Sequence, residues 1–514
     1  MKTIETIDTI AGKVHCWVTS SCVAGFAGLT VLLSGCAVGP KYTRPTVQTP
    51  PAYKEQTLSS DQEGANWKQA QPGDEAARGK WWEIFHDPSL NTLEERVSIS
   101  NQNLKTSEAQ FRQARALVRL NRAGYYPSVS AGPAATVSHP SVNRSFRPST
   151  SAPTFADYVL TGDLSYEVDA WGRVRHTVEE SVANAQASAA DLETFRLSAQ
   201  AELAVDYFTL RGLDAEKQLL DSTVAAYEKA LELTTNRYKG GVASGAEVAQ
   251  AETQLETTRA QAVDIGVQRA QLEHAIALLV GAPASTFSLP GPSISGSPPQ
   301  IPIGLPSELL ERRPDIAAAE RSVASANAGI GVAKAAYFPV LSLVASAGFE
   351  ATRLTSWLSW PSHLWSLGPS LVQTVFDGGR RRAISDQAQA VYDATVASYR
   401  ESVLTAFQEV EDNLAALRIL TEEARVQDVA VKAAERSRDL SINRYKGGVV
   451  TYLEVIVAQS AALTNRRASV DILRRQMIAS VLLIKALGGG WDTSRLPEAQ
   501  DLRSSTRLQI NSGS

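Results

Sequence analysis

The hexapeptide NRYKGG occurs twice, at Asn236–Gly241 and at Asn443–Gly448, and the spacing of the copies constrains the whole chain. The offset is 443 − 236 = 207 residues, and it also links Gly172-Arg173 with Gly379-Arg380, Glu247 with Glu454, and Gly281 with Gly488. A Tyr-Tyr-Pro ending at Pro127 and a Tyr-Phe-Pro ending at Pro339 are offset by 212, so one loop between landmarks differs by five residues. Length changes of that kind belong in surface loops. A period near 200 is far above the 20 to 50 residues of a solenoid repeat, so the chain reads as two fused copies of one unit.

Each hexapeptide interrupts a long stretch without proline. None lies between Pro153 and Pro283 or between Pro369 and Pro497, whereas residues 290–314 are crowded with Pro, Gly and Ser. Each Pro-free interval predicts a helical hairpin, with the first unit at 81–285, a linker at 286–306, the second unit at 307–491 and a tail at 492–514. In the first interval Leu220, Val224, Tyr227, Leu231 and Tyr238 recur at spacings of 4, 3, 4 and 7, the seam of a coiled coil. From Arg173 to Lys239 the pattern is broken only by Gly212, which predicts a helix of roughly 100 Å at 1.5 Å per residue. Phe195, Tyr207 and Phe208 lie off that seam, as expected of a helix packed against more than one neighbour.

Between a shorter helix, expected at about 91–123, and the long one the period changes. Tyr158, Leu160, Leu164, Tyr166 and Val168 alternate with Thr161, Asp163, Ser165, Glu167 and Asp169, the period of a strand. In the second unit Leu341, Leu343, Ala345, Ala347 and Phe349 alternate with Ser342, Ser346 and Glu350, followed by Trp365, Leu367, Leu371 and Val375. Strands of about ten residues flanked by Tyr125, Tyr126, Trp171 and Phe376 fit a membrane β-barrel with aromatic girdles. Two strands per unit give four per chain. Four strands cannot close, and an open edge has no partner in lipid, so the barrel must be shared between chains, in a number the periodicity leaves open.

The N-terminus predicts where such a barrel is anchored. A mostly apolar segment from Trp17 ends in Leu33-Ser34-Gly35-Cys36, the pattern of a bacterial lipobox. Cleavage of a signal peptide at 1–35 would remove Cys16 and Cys22 and leave Cys36 as the first residue, acylated by diacylglycerol and an N-palmitoyl chain. The start is weakly basic, since Glu5 and Asp8 offset Lys2 and Lys13. Ala37 rather than Asp after the Cys is the signal for outer-membrane delivery, and a polar, Pro-containing tether is expected over 36–80. With no other thiol, the mature chain needs neither disulfides nor a Cys-based metal site.

Several function classes lack support. Fifty basic against 54 acidic residues give a net charge of −4 with no basic block, so nucleic acid is not an expected partner. No run of 18 apolar residues follows the N-terminus, so no helical span is expected. The six histidines, His15, His86, His139, His176, His274 and His363, lack ligand spacing, and neither a nucleophile motif nor a phosphate loop is present. No enzyme, metal site or cofactor is expected.

A further set of residues resembles a known family. Trp81-Trp82 with Phe85, Asp87-Pro88 and Leu90, Arg313-Pro314-Asp315-Ile316 with Ala319-Glu320, Ile330-Gly331, Ala333 and Phe338-Pro339, and the closing Lys485-Ala486-Leu487-Gly488-Gly489-Gly490-Trp491 look like the TolC-like outer-membrane factor lipoproteins of tripartite efflux pumps. The match covers about 36–491. The resemblance implies a mainly α fold with a membrane β-barrel: a homotrimer in which a shared 12-stranded barrel joins a twelve-helix periplasmic tunnel. It also implies a periplasmic adaptor, and an inner-membrane transporter commonly of the resistance-nodulation-division class. The expected function is passive export of small toxic molecules. A duct for type I protein secretion would share every feature read so far, and a structural coiled-coil lipoprotein would share all but the strands.

On this reading the NRYKGG copies are the reversals at the far end of the tunnel. Gly240 and Gly447 are expected to take the positive φ of a helix C-terminus, with Lys239 and Lys446 near the negative end of the dipole. Because the family's adaptors dock on such tips, Tyr238, Gly240, Gly241, Val242 and Ser244, with Tyr445, Gly447, Gly448, Val449 and Thr451, are docking candidates. Glu247 and Glu454 are gate candidates, since relatives place acidic rings near this level. Val457 stands where some relatives carry Asp before the Ala-Gln that is Ala458-Gln459 here.

Overall fold

The computed structural model describes residues 38–55, 79–139, 154–290, 294, 296–302 and 306–503. In chain order the helices and strands are α1 (Pro88–Ser100), α2 (Gln102–Arg122), β1 (Ser128–Ser138), β2 (Phe155–Val168), α3 (Arg173–Lys239), α4 (Gly245–Leu279), the single turn α5 (Leu309–Arg312), α6 (Pro314–Ala335), β3 (Val340–Ala351), β4 (His363–Val372), α7 (Arg380–Lys446), α8 (Tyr452–Ala486) and the short α9 (Ala499–Arg503).

The duplication is visible in the element lengths. α3 and α7 have 67 residues each, and α4 and α8 have 35 each, at the same 207-residue offset. A 67-residue helix is about 100 Å long. Each long helix opens after a glycine in the left-handed region, Gly172 (φ 81°) or Gly379 (φ 91°). A nearby carboxylate takes up its free amides: Asp169 accepts from Val174 N and Arg175 N, and Asp377 from Gly379 N and Arg381 N. The ion pairs bracing the hairpins also repeat, Arg259 with Glu228 and, 207 residues on, Arg466 with Glu435. All four groups are partly exposed, where such pairs add little, about 0 to 1 kcal/mol each.

The helix expected at about 91–123 is two helices. Asn101 takes extended backbone (φ −60°, ψ 125°), its side chain accepts from Leu104 N to start α2, and its Nδ2 donates to Leu279 O at 2.9 Å. The second unit repeats the break 212 residues later. There Arg313 is extended (φ −100°, ψ 123°), and its Nη1 donates to Ala486 O at 3.0 Å. Leu279 and Ala486 end α4 and α8, so in each unit the residue at the break ties down an orphan carbonyl of a helix terminus. Gly281 (φ 69°) and Gly488 (φ 95°) complete the joint, since a Cβ on either would strike a carbonyl, that of Ser100 or of Arg312.

The four strands form one antiparallel sheet in the order β1-β2-β3-β4. Leu164 opposes Val129 and Ala345, and Ala345 opposes Leu367, so these share a face. On the other face Asp163 opposes Ser130 and Ser346, and Ser346 donates to Asp163 at 2.7 Å. β1 carries Pro133 and β4 carries Pro369, and both are edge strands, where proline is tolerated. Val375, grouped with the second unit's strands from its spacing, lies beyond the end of β4.

The largest apolar core lies where α1, α3, α4 and α8 meet, around Trp81, Trp82, Leu93, Leu203, Tyr207, Phe208, Ile276 and Val481. Tyr207 and Phe208 are buried as their place off the seam predicted, whereas Phe195 is 54 % exposed. Segments expected to be tether, linker and tail are held by tertiary contacts. Ile294 N donates to Arg211 O, Leu289 packs in the main core, and Leu502 of α9 is buried against α2 and α3. No helix among the described residues is long and apolar enough to cross a membrane.

Candidate functional site

The tips of the two hairpins are the best defined site on the chain. In the first, Gly241 N donates to Tyr238 O and Val242 N to Arg237 O; in the second, Gly448 N donates to Tyr445 O and Val449 N to Arg444 O. This pair of bonds is the Schellman ending of a helix, and it requires a left-handed residue one position past the cap. That residue is Gly241 or Gly448, each at φ 73°, not Gly240 or Gly447, which lie at φ −80° and −77°. The expectation was therefore one residue early in both copies. The first glycine of each pair is the cap and still carries a helical hydrogen bond, to Asn236 O or Asn443 O. Ser244 then caps α4 by accepting from Glu247 N at 3.3 Å, while Thr451 makes no such side-chain bond to α8.

The two tips have one sequence but not one environment. Arg237 reaches from the first hairpin to the second, its Nη1 3.2 Å from Tyr445 O and its guanidinium 4.7 Å above the Tyr445 ring. A cation at a helix C-terminus and over an aromatic face is favoured on both counts. The Tyr445 hydroxyl donates to Glu247 Oε2 at 3.1 Å, and its ring lies 5.3 Å from that of Tyr452 within a cluster including Ala251 and Val455. Burial raises both phenols, Tyr452 to about 12. Arg444, the counterpart of Arg237, turns instead to Glu454 of its own hairpin at 2.9 Å. Both gate candidates are therefore partnered, Glu247 across the hairpins and Glu454 within one. Val242 and Val449 remain exposed, and Tyr238 is 52 % exposed where Tyr445 is 3 %. Above the tip a cavity of about 440 Å³ opens between the hairpins, lined by Tyr227, Arg438, Tyr452 and Gln459 among others.

Twin hairpins below a four-stranded sheet match known proteins along most of their length. The family model described as Outer membrane efflux protein matches residues 95–282 and 305–489, which together fall on both units. This chain belongs to that family. The toluene efflux pump outer membrane protein TtgF of Pseudomonas putida is 32 % identical over 465 residues, covering 90 % of this chain and 96 % of that one. The outer membrane protein OprJ of Pseudomonas aeruginosa is 30 % identical over 472 residues, 91 % of this chain and 95 % of its own. Among solved structures, the outer-membrane channel OprN superposes with a TM-score of 0.80 at 29 % identity, covering 89 % of this chain and all of that one. The protein is an outer-membrane efflux channel built around a helical tunnel. Its family is one of ducts, not of known enzymes.

For this efflux protein the motif residues that carried the resemblance prove to be joints. Arg313 is buried and bridges Asp315, Glu409 and the Ala486 carbonyl, and Trp491 is buried against Ala190, Ala317 and Ala318. Cys36 lies outside the described residues. The chain just after it is fixed by contacts that sequence reasoning missed: Val38 N donates to Trp171 O, Asn327 to Pro40 O, the Tyr42 hydroxyl to Glu320, and Lys54 N to Glu411. Residues 38–55 thus form a strap along α6 and α7. Its upper end sits at the junction of sheet and helices, where Trp171 stacks on Phe338 at 4.9 Å. Tyr42 and Tyr53, apolar anchors in an otherwise polar stretch, were the available signal, hidden by its proline content.

Proposed function

We propose that three copies of this chain close a twelve-stranded barrel over a twelve-helix tunnel, a passive duct through which an inner-membrane pump expels small toxic molecules. The observation that carries this reading is the sheet: among the described residues, four strands with two unpaired edges, apolar on one face and polar on the other, set above paired hairpins of about 100 Å. A spacer lipoprotein has no use for such a sheet. Closure is also favoured at the tips. One chain covers Tyr445 with Arg237 but leaves Tyr238 exposed, and a ring of copies supplies a second hairpin beside every first one.

In this reading a periodic collar of tips at Tyr238–Ser244 and Tyr445–Thr451 receives the periplasmic adaptor, and the partner pump is of the resistance-nodulation-division class. The Tyr445–Glu247 bond holds the two hairpins in register, the Arg444–Glu454 pair braces the second tip, and the two act as latches of the gate. Acylated Cys36 anchors the strap. Two residues span at most about 7 Å, which keeps the acyl chains within reach of the junction where Val38 meets Trp171. Relatives are named as pumps for toluene and for antibiotics, which supports small apolar cargo. Deletion of the gene should raise accumulation of an apolar dye and sensitivity to toluene, both restored by the wild-type copy. Unchanged accumulation together with loss of a secreted protein would select type I protein secretion instead.

A further inference from the structure

The loop joining β3 to β4, residues 352–362, exposes large apolar side chains beside Thr352, Arg353 and Thr355, while its serine hydroxyls bond within the loop. It lies at the end of the sheet away from the tunnel, since β3 follows α6 and β4 leads to α7. Leu354, Leu358 and Trp360 are exposed, Trp360 to 77 %. The loop's three serine hydroxyls are turned onto its own backbone. Ser359 and Ser362 both donate to Ser356 O, at 2.6 and 2.8 Å, and Ser356 donates to Arg353 O at 3.2 Å. His363 Nδ1 lies 2.8 Å from Trp360 O. Exposed leucines and an exposed indole beside internally bonded serines suit the boundary between lipid and water better than bulk water.

The direction in which the loop leans is fixed by two ring contacts. His363 opposes Phe349, which opposes Leu160, so its side chain shares the apolar face with Leu164 and Leu367. Trp360 stacks on His363 with centroids 4.6 Å apart, and Trp357 lies 6.1 Å from Tyr158 of the same face. Both indoles therefore sit over the apolar face and not across the mouth of the strands.

We propose that residues 353–360 form an anchor in the outer leaflet, with the phosphate-bearing, anionic lipid of that leaflet as its partner. Leu358 and Trp360 continue upward the apolar band of Val129, Leu367 and Leu371, which are 71, 73 and 66 % exposed in the chain. Indole rings favour the boundary between headgroups and acyl chains. Exposed Arg353 is placed to meet the phosphates. The loop thereby fixes the height and tilt of the barrel against the leaflet, and the proposal rests on the barrel reading given above.

A benzophenone amino acid placed at Leu358 in the intact protein, and irradiated in cells, tests it. The same probe at Leu367 reports on the apolar face and at Ser366 on the opposite one. The expected result is an adduct with outer-leaflet glycolipid from Leu358 and Leu367, and none from Ser366. A glycolipid adduct at Leu367 with silence at Leu358, or a Leu358 adduct to another copy of the chain, overturns the anchor while leaving the barrel. Silence at both Leu358 and Leu367 removes the barrel reading and the anchor with it.

Discussion

Glu94, in the middle of α1, is fully buried, and neither of its carboxylate oxygens has a hydrogen-bond partner among the described residues. Desolvation pushes its pKa well above the ordinary 4.5, with no neighbouring charge to offset the effect. The folded chain therefore binds this proton more tightly than the unfolded chain does. The resulting stability is full below 4.5 and is lost as pH rises toward the elevated folded value. Glu94→Gln should flatten that decline and raise the melting temperature at mildly alkaline pH, with little change in acid, as circular dichroism of the purified protein would show. An unchanged pH dependence would mean that Glu94 is ionised and paired in the assembled protein. Nothing in the sequence marks Glu94, because an acidic residue on an amphipathic helix reads as solvated. Asn101 was hidden for a related reason: apolar spacing continues through it, and its role depends on Leu279, 178 residues away.

At the scale of elements, local chemistry was legible wherever a period or a turn signature was long enough. The hairpins, their reversals and β2 follow directly from spacing and from the paired glycines. β1 carried no such signal, since SVSAGPAATVS has few large side chains and a central proline, and its strand state comes from pairing with β2. The one-residue error at the tips arose because GG offers two equivalent places for a positive φ, and only the hydrogen-bond pattern chooses. Replacing Gly241 and Gly448 together with Asp should cost on the order of 1 kcal/mol per site, because both are left-handed. Assembly in the outer membrane should stay near normal, while adaptor cross-linking falls and transport is lost, because charges around the tip must be desolvated on docking. Intact transport would leave these repeats as turns alone. In the sheet, Leu164→Arg should prevent assembly, at roughly 2 to 4 kcal/mol per chain for a lipid-facing midplane arginine, whereas Ser165→Arg on the opposite face should be tolerated. Equal yields of the two variants on denaturant-free gels would show that this assignment of strand faces is wrong.

For the whole molecule, the duplication explains both the economy of the fold and its incompleteness. Two equivalent units supply matched hairpins, matched joints at Asn101 and Arg313, and matched ion pairs, yet among the described residues the sheet they build ends in two free edges. The strap, the pinned linker and α9 escaped sequence reasoning because their order comes from distant partners such as Glu320, Glu411, Arg211 and Gln186. In the proposed assembly one chain is a third of a closed duct. Native mass spectrometry of the protein extracted from outer membranes in mild detergent reads the number of chains in that duct. A closed trimer gives a single species with the mass of three acylated chains, stable on dilution. A monomer or a dimer as the stable species would contradict it, because neither four nor eight of these strands makes the twelve-stranded barrel.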